Sequence, residues 1–74
     1  MTDLRATFKG SDAVEVTSDA AGASWTFQIL TDRSGRRHLD GPHGSIEAMA
    51  HSDLMRHACV FAQSEALHAG KIDY

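Results

Sequence analysis

Between Leu4 and Lys9 apolar and polar residues alternate, with Leu4, Ala6 and Phe8 on one side and Arg5, Thr7 and Lys9 on the other. That is the period of a half-buried strand over residues 4–9. Gly10-Ser11-Asp12 is turn chemistry, and Val14 and Val16 flank Glu15 in a second strand over 13–17. After the small, turn-prone stretch from Asp19 to Gly22, residues 24–31 put Trp25, Phe27 and Ile29 on one face and Thr26 and Gln28 on the other. Asp32-Arg33-Ser34-Gly35 then has Asp first and Gly fourth, as in a type I turn closed by a left-handed glycine. Pairing Asp32 with Arg36 sets Ile29 opposite Leu39, so a short fourth strand over 36–39 brings its one large apolar residue to the face of Trp25 and Phe27. Asp40-Gly41-Pro42-His43-Gly44 reads as a connector that continues neither strand nor helix.

From Ile46 to Ala69 neither Gly nor Pro interrupts the chain; Ser45 is a suitable N-cap, Glu47 suits the positive end of a helix dipole, and Gly70 supplies a stop. One helix over 46–69 would be about 36 Å long, against about 20–23 Å for strands of six or seven residues. Such a rod outreaches its sheet, so it either breaks near His51-Ser52-Asp53, with Ser52 capping the second segment, or projects and packs on another molecule. Helical spacing places Ile46, Ala50, Leu54, Ala58 and Phe61 toward the sheet, flanked by Met49, Val60 and Leu67. The other side carries Ala48, Met55, Cys59, Ala62 and Ala66, small and apolar enough for close helix–helix contact. The expected architecture is α+β: a small antiparallel meander sheet of three or four strands packed on one long C-terminal helix, a single domain over 1–74. The expected assembly is a homodimer joined through Met55, Cys59, Ala62 and Ala66.

Composition sharpens this picture. Of the 74 residues, 11 are alanine, and Leu, Ile, Val and Phe together number only 14. A core of that size supplies about 3–5 kcal/mol, and a lone cysteine permits no internal disulfide, so self-association is the natural source of added stability. No stretch approaches the roughly 20 apolar residues of a membrane span, and the first 15 residues alternate instead of forming a signal peptide. The expected compartment is the cytoplasm. A net charge of −3 and a pI near 5.9 give no global attraction to nucleic acid or acidic membrane, so binding of that kind needs a local patch.

Candidate chemistry is sparse. Glu47/His51 and Asp53/His57 are i,i+4 pairs, and His51, Met55 and Cys59 lie on successive turns, but no CxxC or HExxH spacing occurs, and neither a metal site nor a cofactor is assigned. Cys59 lies deep in the helix, far from the N-terminal position that would lower its pKa, and reads as packing. No G-x-S-x-G arrangement or glycine-rich phosphate loop is present, so the expectation is a protein that is not an enzyme. Arg33, Arg36 and Arg37, with His38, form the densest positive patch of an acidic chain.

The span from Phe27 to Ala69, with Thr31-Asp32-Arg33-Ser34-Gly35, Asp40-Gly41 and Ile46-Glu47-Ala48, resembles in layout small bacterial hairpin-then-helix proteins, including HicB-like antitoxin domains. It departs from them at the connector Asp40-Gly41-Pro42-His43-Gly44, and no residue's role is carried over. The functional expectation is a small non-catalytic protein-binding module, an inhibitor or regulator of bacterial or phage type, which offers Arg33, Arg36 and Arg37 to an acidic partner. Nucleic-acid binding through the same arginines is the alternative, and a metal response through His51 with Glu47 is the third reading.

Overall fold

A computed structural model describes residues 3–73. Four strands, β1 (Leu4–Lys9), β2 (Ala13–Ser18), β3 (Ala23–Thr31) and β4 (Arg37–Gly44), form one antiparallel sheet in the order β1-β2-β3-β4. Two helices follow, α1 (Ile46–Ala50) and α2 (Ser52–His68). The four-stranded meander with helical cover on one face is therefore as the alternation implied. Register aligns the apolar positions into rows: Phe8 beside Val14 beside Phe27, and Ala6 beside Val16 beside Trp25. Val14, Val16, Trp25 and Phe27 are buried against the helices. The third hairpin has the inferred register, with Ile29 opposite Leu39 and the amide of Asp32 donating to the carbonyl of Arg36 at 2.9 Å.

β4 is longer than the 36–39 expected. The segment Asp40–Gly44 continues the strand instead of leaving it, because a bulge sets both Gly41 and Pro42 opposite Phe27 and pairing resumes at Thr26–His43. Glycine is required at 41: its φ is +143°, and a Cβ there would stand 2.9 Å from the carbonyl oxygen of Thr26.

The long helix breaks at His51, the first of the two outcomes that the length mismatch allowed. Ser45 accepts from the amide of Ala48 at 3.1 Å and caps α1 as expected. The carbonyl of Ala48 would accept from residue 52 in an unbroken helix. It accepts instead from the amide of His51 at 3.2 Å and from the indole Nε1 of Trp25 at 3.0 Å, in a buried contact. That shared acceptor ends α1 and ties it to the sheet. Ser52 is the first residue of α2 and not its cap; the cap position is His51, which makes no side-chain capping bond. At the far end Gly70, at φ +70°, closes α2, with Gly70 N donating to Leu67 O and Lys71 N to Ala66 O.

The rotation of α1 and α2 about their axes differs from the expectation. Ala58, Ala62 and Ala66 are all 0% exposed, Ala48 is buried too, and Met55 and Cys59 are half-buried against the same core. Val60 is 68% exposed and Ile46 88%, and Ala50 also faces out. Of the residues assigned to the sheet, Ala58, Leu54 and Phe61 do pack there. The physical reason is angular: residues four apart differ by only about 40°, so Ala62 and Ala66 are neighbours of Ala58 and not its opposites. Alanines also let the helix approach a sheet face that already carries Trp25, Phe27 and Phe8. Ala62 and Ala66 are thus spent inside the molecule and offer no self-association surface, while Met55 and Cys59 are half-buried against the core.

Candidate arginine-tip site

The site is best built from Asp32 outward. One of its carboxylate oxygens, Oδ1, accepts from Ser34 N at 2.9 Å, from Ser34 Oγ at 2.6 Å and from Arg36 N at 3.0 Å, while its carbonyl accepts from Gly35 N at 3.0 Å. These bonds fix the whole β3–β4 turn, an Asx-type turn that anchors the chain through Asp32. The Ser34 hydroxyl and the Arg36 amide hold the Asp32 carboxyl below its ordinary pKa, so it stays an acceptor. Gly35 takes φ +85°, which completes the return. Arg33 and Arg36 project from this tip, exposed, and among the described residues neither has a carboxylate within 4.0 Å.

Arg37, the third arginine of the patch, has a different role. Its Nε and Nη2 donate to Asp73 at 3.2 and 3.1 Å, its amide donates to Asp73 Oδ2 at 2.8 Å, and its carbonyl accepts from Asp73 N at 3.1 Å. This bidentate clamp raises the Arg37 pKa and pulls the Asp73 carboxyl down to about 2, chiefly through the guanidinium and amide bonds. The clamp fastens the chain after α2 to the first residue of β4. Lys71 stands 5.8 Å from the centre of the Phe8 ring and Ile72 is buried, so residues 71–73 run as a strap from β1 to β4. The sequence offers no periodic signal for this: four residues after a helix stop are too few to show one.

The other candidates stay apart. Among the described residues no three His, Cys, Asp or Glu side chains gather where an ion could sit. Glu47 and His51 are both exposed, on either side of the α1 end, and Asp53 and His57 are exposed on α2. His43 Nε2 lies 3.3 Å from Asp40 Oδ2 on the open face of the sheet, where Thr26 and His43 pair. Burial pushes the Cys59 thiol up, opposite to the shift that activates a nucleophile. An open groove of about 450 Å³ runs along the outer flank of α2, lined by Cys59, Val60, Gln63, Ser64 and Leu67; no residue of the arginine tip borders it. Among the described residues no helix is long and apolar enough to cross a membrane.

No family model matches the chain, and neither the curated proteins nor the solved structures contain a significant match to it. The likeness to HicB-like antitoxin domains accordingly rests on the layout of hairpin and helix alone.

Proposed function

We propose that the protein is a non-catalytic binding module of the cytoplasm that presents Arg33 and Arg36 to an acidic surface of a larger protein and, by occupying that surface, inhibits or regulates it. The observation that carries this reading is the Asp32-centred turn: one carboxylate oxygen holds three donors and fixes the backbone from which two arginines project. A tip whose backbone is already ordered loses less conformational entropy on binding, and guanidinium forks pair well with carboxylates. Arg37 is held by Asp73 and supports the tip from behind.

The test is the double variant Arg33→Glu/Arg36→Glu. Both side chains are exposed, so the fold and the melting temperature should hold while capture of the partner falls at least tenfold. Labelled DNA and RNA oligonucleotides, titrated by fluorescence anisotropy, test the alternative. Two phosphate contacts would give a log–log salt slope of about −2 that the double variant abolishes. That result would transfer the tip to nucleic acid and overturn the protein-binding reading.

A further inference from the structure

The hairpin of β3 and β4 outreaches the rest of the sheet. β2 pairs with β3 as far as Ala13–Gln28, with Ile29 N donating to Asp12 O at 2.7 Å just beyond. β3 and β4 stay paired further, through Leu30–His38 and Thr31–Arg37 to the closing bond between Asp32 and Arg36. The end of the hairpin is therefore a two-stranded arm with two faces. Ile29 and Leu39 are half-buried on the core side, which Arg37 shares by alternation. The same alternation puts Leu30, His38 and Arg36 on the side turned away from the helices, and all three are exposed.

Leu30 stands out on that face. Of the large hydrophobic side chains that are exposed, Ile46, Met49 and Val60 sit on the helices, and Leu30, 41% exposed, is the one on a strand. The pairs below it on the open face are polar, Gln28 with Asp40 and Thr26 with His43. A lone exposed leucine is ordinary; its neighbours distinguish this one. His38 is directly opposite, and Arg36 is the diagonal neighbour across the ladder, about 7–8 Å away at Cα. The carboxylates of the same face are engaged elsewhere: Asp32 Oδ1 accepts the three bonds of the turn, and Asp40 Oδ2 lies 3.3 Å from His43 Nε2. What remains around Leu30 is positive, because neither Arg36 nor Arg33 has a carboxylate within 4.0 Å among the described residues.

We infer that Leu30 is the apolar anchor of the arginine site: the acidic partner seats an apolar residue of its own on Leu30 while its carboxylates take Arg36 and Arg33. The inference rests on the reading of the tip as a site for an acidic protein. It adds which face of the hairpin docks, the one turned away from the helices, and the chemistry of the partner, an apolar centre ringed by carboxylates. An apolar centre within a polar rim is the arrangement in which a few residues carry most of the binding energy. Contact at Leu30 also expels water beside the guanidinium groups, so the ion pairs there are screened less than fully solvated ones. Covering the 41% of Leu30 that is exposed corresponds to about fivefold in affinity.

Two synthetic peptides test the inference, each a short run of alternating glutamate and aspartate, one with phenylalanine at its centre and the other with alanine. Each is titrated into the isotope-labelled full-length chain and followed by the NMR shifts of the backbone amides. The expected result is movement at Leu30, Arg33, Arg36 and His38, with the phenylalanine peptide binding about fivefold more tightly than the alanine peptide. That preference should vanish in Leu30→Ser and persist in Leu30→Met, while Arg33→Glu/Arg36→Glu weakens both peptides at least tenfold. The comparison of the two peptides on the wild type depends on no variant folding. Equal binding of both peptides at these amides, or a preference that survives Leu30→Ser, would overturn the inference and leave the acidic-partner reading standing. Absence of any shift at the tip with either peptide would overturn both.

Discussion

Replacing Ala62 with leucine forces an isobutyl group into the seam between α2 and the sheet, at a position that is wholly buried with Ala58 and Ala66 on either side. Trp25, Val14 and Val16 below are fully buried as well and have no solvent gap to move into. Overpacking of a tight interior costs about 1–3 kcal/mol. For a domain of this length about 2 kcal/mol corresponds to about 8–16 °C in melting temperature. Against a total of about 3–5 kcal/mol, that is roughly half the stability. Val60→Lys is the matched control: Val60 points away from the sheet, and the change should stay within about 0.5 kcal/mol. Trp25 is the sole tryptophan and lies in the seam, so its fluorescence during urea denaturation reports both variants directly. If Ala62→Leu left the midpoint unchanged while Val60→Lys lowered stability by more than about 1 kcal/mol, α2 would be seated with its other side to the sheet, and the surface described above would be wrong.

Gly41→Ala should destabilise the fold by about 1–3 kcal/mol, because the new Cβ would meet the Thr26 carbonyl oxygen at 2.9 Å in a backbone conformation that side chains rarely adopt; thermal melts followed by circular dichroism would show it. The Asp73–Arg37 clamp should give a pH signature. The Asp73 carboxyl titrates lower when folded, about 2, than its usual 3.8, so its contribution is complete above the unfolded value and is lost as pH falls from about 4 toward 2. The gap in melting temperature between wild type and Asp73→Ala should therefore be constant near neutrality and close across that acid window; a gap that persisted at pH 2 would contradict the assignment.

Much of the sheet was legible because its signals are local and agree with one another. Alternation from Leu4 to Lys9, the valines around Glu15, and the Asp32–Gly35 turn each fix a strand or a register from a few adjacent residues, and the placement of Ile29 against Leu39 follows from the turn alone. The extension of β4 was hidden because Gly41 and Pro42 are poor strand formers, and only a bulge opposite Phe27, a property of two strands together, accommodates them. The seating of α2 was hidden for another reason. An alanine-rich helix has weak contrast between its faces, and the sheet chooses the small side to make room for Trp25 and Phe27. At the candidate site, Arg33, Arg36 and Arg37 were visible as a cluster, but their division of labour was not. It depends on Asp73, distant in sequence and brought to Arg37 only by the strap after Gly70.

The central claim is that a turn organised by Asp32 presents two arginines to an acidic protein surface. Affinity capture from the native host at physiological salt, comparing wild type with Arg33→Glu/Arg36→Glu by quantitative mass spectrometry, tests it most directly, with circular dichroism to verify that both chains are folded. The account predicts one acidic protein enriched by the wild type and depleted at least tenfold with the folded double variant. Equal recovery of the same protein by both chains would contradict it.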